Sequence, residues 1–237
     1  MDLLRLLSFG PDGWGDDLLA GASLTIRLAL ATLPFGLALG LLVAFARRSH
    51  LKLVRGLGHA YATIFRGLPE LLTIFIVYFG GQILLKNIVD LVAPGSQVEI
   101  NGFIAGMVAL GVVFSAYASE VFLGAFGNMS RGQYEAAYAL GLRRQTTFRL
   151  VIFPQLIRLA LPGLANLWLA LLKDTSLVSV IAIDDLLRMT GIAVRVTKEP
   201  FFFFGVACLI YLLMSMVSSI GIAAVERWSN RGVGRPA

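Results

Sequence analysis

The sequence predicts an all-α membrane protein of about five transmembrane helices, with the N-terminus outside and the C-terminus inside. Three observations lead there. Of its 237 residues 57% are hydrophobic and 14% charged, whereas charged residues make up roughly a quarter of soluble domains. Five windows, near 22–46, 67–86, 103–126, 159–183 and 201–225, each supply the roughly 20 mostly apolar residues that a spanning helix needs. The basic residues are also sorted by side. Arg47, Arg48, Lys52, Arg55 and Arg66 follow the first window, Arg131, Arg143, Arg144, Arg149 and Arg158 follow the third, and Arg227, Arg231 and Arg235 follow the last. The other side holds only Arg5, Arg188, Arg195 and Lys198 among acids such as Asp2, Asp12, Asp16 and Asp17, so the positive-inside bias orients the chain.

The same features exclude other classes. A net charge of +6 lying between apolar spans, not on one face or tail, points to lipid headgroups and away from a nucleic-acid partner. No basic segment precedes an apolar core at the N-terminus, so no cleaved signal is expected. Cys208 stands alone in an apolar run, where it is expected to pack, and it offers neither a disulfide framework nor a thiolate cluster. Neither His50 nor His59 has a second ligand at metal spacing, and no phosphate-cradling Gly-x-x-x-x-Gly-Lys loop occurs. With no internal repeat, residues 1–237 read as a single transmembrane domain with a core over 20–226.

The elements follow in order. Gly36 and Gly40, then Gly102 and Gly106, have the spacing that lets helices approach closely. Arg27, near the outer end of the first span, can snorkel to the headgroups. Residues 51–67 alternate apolar and basic residues at helical spacing, as an interfacial helix does. The stretch "FFFF" at 201–204 is expected to anchor the last span where it enters the bilayer.

Ionisable groups inside spans are costly and default to functional candidates. Glu70, Glu120, Lys173 and Asp174 are therefore the candidate substrate pathway. Each has a structural alternative. Glu120 can pair with a base on a neighbouring helix. Lys173 and Asp174 project about 100° apart on a helix, which calls for an interior pairing or a break near "KDTS".

The polar insert at 128–154 is the remaining feature. Ser130 and Gln133 have capping-box spacing, so a short helix should start there. Gly141 should end it in the left-handed conformation. A second helix follows, whose arginines reach lipid phosphates, and Pro154 should stop or kink it. The resulting knob would expose Tyr134, Ala137, Tyr138 and Gly141 along one side, suited to a groove on another protein. A merely basic, helical inner loop reads equally well from the residues alone.

"EAAYALG" (135–141) and "VIFP" (151–154) resemble the EAA motif of inner-membrane permease subunits of ATP-binding-cassette importers: E-A-A, three residues, G, nine residues, then I-x-L-P. Val151 and Phe153 depart from the pattern but stay apolar. "SAYASEVFLGAF" (115–126), "LLKDTSLVSVIAIDDLL" (171–187) and "FRGLPELL" (65–72) resemble the polar amino acid uptake branch, and the likeness covers most of 20–226. The resemblance implies a type I ABC importer permease fold, multi-pass in the cell inner membrane. It implies that separate ATPase subunits use ATP and magnesium while this chain binds no cofactor, and that they dock on 128–154. Glu135, Ala136, Ala137, Gly141 and Pro154 would then be coupling residues, the two alanines letting the helix sit deep in the ATPase. A periplasmic solute-binding protein and a homologous permease subunit, in a heterodimer, are the other implied partners. The "RGLPELL" variant resembles subunits that move histidine, lysine, arginine, ornithine or opines. The expected function is ATP-driven import of polar, basic amino acids or opines. An ion-coupled secondary amino acid transporter is the alternative. An intramembrane enzyme using Glu70, Glu120 and Asp174 on lipid would need a nucleophile or metal set that the sequence lacks.

Overall fold

The computed structural model describes residues 3–92, 101–181 and 183–229. Asp2, Arg231 and Arg235 of the charge pattern, and the middle of the 87–102 segment, lie outside the described residues. The helices are α1 (Gly15–Arg47), α2 (Lys52–Gly67), α3 (Glu70–Phe75), α4 (Gly81–Val92), α5 (Gly102–Gly127), α6 (Arg131–Ala139), α7 (Arg144–Thr147), α8 (Phe153–Asp174), α9 (Leu186–Thr197) and α10 (Pro200–Ser229). Five stretches among the described residues are long and apolar enough to cross a membrane: Gly15–Arg47, Glu70–Leu91, Gly102–Gly127, Arg144–Ile181 and Pro200–Ser229. These match the five predicted windows in number and order.

Two spans are composite. A π-helical turn, Ile76–Gly80, joins α3 to α4, and a second, Phe148–Ile152, joins α7 to α8. Pro154 therefore does not stop the helix, one of the two outcomes expected of it. It sits in the first turn of α8, where the missing N–H is tolerated, and the widened turn before it relieves the clash of its ring with the preceding backbone. At the far end α8 tightens at Asp174 into a 3-10 turn, Thr175–Ile181. That is the break expected near "KDTS".

The boundaries moved where polar residues are helical. α1 starts at Gly15, before the predicted window, with Asp16 and Asp17 in its first turn against the positive end of the helix dipole. Arg27 consequently lies well inside α1, exposed.

α1 packs along α5 at close range. A methyl added at Gly36 would meet the Phe114 ring at 2.5 Å, and one at Gly40 would meet Ala118 Cβ at 2.8 Å and the Ser115 carbonyl oxygen at 3.0 Å. Gly106 is equally confined, by Ile183 at 2.9 Å, whereas Gly102 makes only ordinary contact at 3.6 Å. The main core continues from this seam through Leu28, Phe122, Leu156 and Leu172.

A second core forms at the opposite end of the bundle from α6. The segment 184–200, read from sequence only for its charges, contains α9, capped by Asp185. The Asp185 carboxylate accepts from Arg188 N at 3.0 Å and Leu187 N at 3.4 Å. Leu186 N donates to Thr25 Oγ1 at 3.3 Å, which ties the cap to α1. Gly21 leaves room for it, since a Cβ there would lie 2.9 Å from the Asp185 backbone. Leu18, Ala22, Leu186, Ala193 and Phe203 close this core. Of the four phenylalanines expected to anchor the last span, Phe203 is thus fully buried and Phe201 almost fully exposed. Cys208, expected to pack, is exposed on α10.

Burial pushes the Asp185 carboxyl up to about 6 despite its backbone donors. Between its ordinary 3.8 and about 6 the folded chain holds a proton that the unfolded chain has released, so stability falls as pH rises through that window. Thermal unfolding followed by tryptophan fluorescence in detergent should show this fall. Asp185→Asn keeps the cap and should flatten it, and an unchanged slope in that variant would remove Asp185 as the cause.

Candidate functional site

Two regions carry the candidate residues: the 128–154 elbow and a cleft within the membrane portion. In the elbow, Ser130 caps α6, its Oγ accepting from Gly132 N at 3.3 Å. The predicted capping box is only half formed, because the Gln133 amide oxygen instead accepts from Gln155 Nε2 at 3.0 Å, holding α6 against α8. Gly141 has φ +72° as predicted. Its N–H bonds Tyr138 O at 2.9 Å and Leu142 N bonds Ala137 O at 3.1 Å, the paired closure of a Schellman motif.

Ala137 corrects the predicted face. It is 3% exposed and packs on the chain's own body, because the helix turns its 137 side inward against α7 and the π turn that follows it. The surface offered outward is Glu135, Ala136, Tyr138, Leu140 and Gly141, while Tyr134 is half-buried. Nothing lies within 4 Å of the place a Cβ would occupy at Gly141.

The four charged candidates divide. Glu120 is engaged by two arginines: Arg47 Nη2 at the end of α1 donates to its Oε1 at 2.8 Å, and Arg66 of α2 pairs with the same oxygen. Arg47 also donates to Ser119 Oγ at 3.1 Å. The Tyr61 hydroxyl meets Ser115 Oγ at 2.7 Å, so α2 is bonded to α5 at two levels. The pairing of Glu120 with neighbouring bases was expected, whereas the Ser119 and Tyr61 parts of this strap were not read from the sequence. Their signal was the run of small polar residues in "SAYASE" within an otherwise apolar span.

Glu70 and Asp174 come together. They line one cleft of about 280 Å³, together with Tyr117 and the apolar Phe114 and Leu167. Pro69 fixes the start of α3 and so sets Glu70 in its first turn. Asp174 ends α8 as the helix tightens. Lys173 is exposed on another side of α8, and no ion pair joins it to Asp174 among the described residues. Two carboxylates and a phenol against apolar walls make a place for positive charge, since the low-dielectric surroundings screen their attraction less than water does.

Comparison with known proteins accounts for this architecture. The chain matches the family model of the binding-protein-dependent transport system inner membrane component over residues 36–231. It is 42% identical to the nopaline transport system permease protein NocQ of Agrobacterium fabrum, covering 97% of this chain and 98% of the relative. It is 35% identical to the histidine/lysine/arginine/ornithine transport system permease protein HisQ of Escherichia coli, covering 94% and 97%. The crystal structure of an amino acid ABC transporter with histidines superposes with a TM-score of 0.76 at 29% identity, over 90% of this chain and 94% of that one. Nothing in these comparisons favours the ion-coupled alternative, and the chain belongs to the family of inner-membrane permease components of binding-protein-dependent ABC importers.

Proposed function

We propose that this chain forms one side of an import path for cationic amino acids or opines, with Glu70 and Asp174 meeting the cargo's positive charge. The observation that carries this reading is the cleft itself, where two acids from separate spans line one space. The named cargo of NocQ and HisQ agrees with it. In this reading Glu120 holds the strap and does not line the path, and Lys173 lies outside the cleft.

The partners follow from the importer scheme. ATPase subunits grip the outward surface of α6 through Glu135, Ala136 and Gly141, on the cytoplasmic side, with the N-terminus outside and the C-terminus inside. Ala137 and Pro154 act from within, the first by seating α6 on the bundle and the second by setting the start of α8. A related permease completes the path as a heterodimer, and a periplasmic binding protein delivers the cargo.

The test is uptake by the complete transporter in proteoliposomes, driven by ATP, with labelled arginine and a labelled neutral amino acid. A lost charge-assisted contact is worth about 1.5–3 kcal/mol, so Glu70→Gln should weaken arginine uptake roughly tenfold to a hundredfold while sparing the neutral compound. Equal loss for both would sink the charge argument.

A further inference from the structure

A second groove, of about 550 Å³, lies beside the elbow and is lined by Phe45, Arg48, Ser49, Phe126, Arg144 and Phe148 among others. We propose that it binds the phosphate headgroup of an anionic phospholipid. Its placement is the first reason. Span Gly15–Arg47 ends there, span Gly102–Gly127 ends there and span Arg144–Ile181 begins there, which puts the groove where hydrocarbon gives way to headgroups.

Charge is the second reason. Arg48, His50 and Arg144 line the groove, and no acid does so among the described residues. Neither Arg48 nor Arg144 has a carboxylate partner among the described residues, in contrast to Arg47 and Arg66 close by. Arg48 lies over the Phe126 ring at 4.3 Å, which holds the guanidinium at the wall. Ser49 Oγ already accepts from Leu51 N at 3.2 Å, so its proton is left to donate. The Tyr134 and Tyr138 hydroxyls add further donors from α6.

The walls are the third reason. Phe45 packs at 5.7 Å on both Phe126 and Phe148, forming an aromatic floor, and Leu51 at the rim is 67% exposed. A free phosphate has no use for such a floor, whereas the glycerol and acyl stem of a lipid cover it. An occupied groove would bind α6 and α7 to the ends of α1 and α5.

The experiment uses the complete transporter in nanodiscs of phosphatidylcholine with and without phosphatidylglycerol, followed by native mass spectrometry of the retained lipid. Phosphatidylglycerol should stay with the wild type after mild delipidation. Arg48→Gln with Arg144→Gln should lower its retention about tenfold, and the corresponding lysine pair should keep most of it. Arg195→Gln, on α9 at the opposite end of the bundle from the groove, should retain as much as wild type. Three results would each overturn the proposal. One is equal retention in the glutamine pair. Another is displacement of the lipid by inorganic phosphate at equal concentration, which would mark a free-anion site. The last is lipid retained only after the ATPases are stripped away, which would make the groove a seat for an acidic ATPase segment.

Discussion

Gly141→Asp should abolish ATP-driven uptake while leaving the membrane portion folded. The separation of effects follows from local geometry. Gly141 has φ +72° and open space around it, and aspartate is among the few side chains that tolerate the left-handed region. The Schellman closure of α6 therefore survives. What changes is the outward tip of the helix, where a carboxylate would be desolvated and unpaired on docking. An unpaired charge buried at an interface costs about 2–5 kcal/mol, enough to weaken docking roughly thirtyfold to several thousandfold. Pull-down of the ATPase together with uptake in proteoliposomes measures both parts. Gly141→Asn, which shares the backbone tolerance without the charge, should be milder. If Gly141→Asp binds its ATPase and transports like wild type, the outer surface of α6 is not where the motor engages.

The largest loss of stability is expected from Glu120→Gln. The Arg47 side chain is 9% exposed and its Nε has no partner, so the Glu120 carboxylate is the main compensation for its charge. Removing one member of a buried pair costs about 3–5 kcal/mol, and because Glu120 is itself 34% exposed the lower figure applies. Arg66 loses the same partner but is 40% exposed, so water replaces much of what it loses. Unfolding in mixed detergent micelles should show the drop. Replacing both members, Arg47→Met with Glu120→Leu, should recover most of it, because an apolar pair of similar volume leaves no orphaned charge. A Glu120→Gln variant as stable as wild type would mean the strap contributes nothing.

Membrane-level features were legible because they depend on composition over long windows. The five spans, the helix at 52–67, the tight glycine seam at Gly36 and Gly40 and the left-handed Gly141 each have one dominant physical cause. What escaped was decided by competition between partners. Gln133 had the spacing to close on Ser130, yet Gln155 supplies a better partner from a helix 22 residues away. Ala137 looked like part of an exposed stripe, and only the packing of α6 on α7 shows which side faces in. Asp185 is a strong cap signal that hydropathy reasoning passed over, because the segment was too short and polar to register as a span. The cleft was half legible: Glu70 and Asp174 were each suspect as charges in apolar runs, but their meeting and the role of Tyr117 depend on how α3, α5 and α8 converge.

The π turns have a mechanical corollary. Both carboxylates of the cleft belong to spans that contain one, and the span beginning at Arg144 is continuous through its turn to Asp174. At about 1.5 Å per residue, the elbow and Asp174 are opposite ends of a rod roughly 45 Å long. A few degrees of tilt imposed at the elbow would carry the Asp174 end several ångströms sideways, on the scale of the cleft. Each widened turn carries one extra residue, a feature at which helices commonly bend. In the proposed import path this geometry would act as a transmission, in which a small rotation at one end becomes the opening or closing of a charged slot at the other.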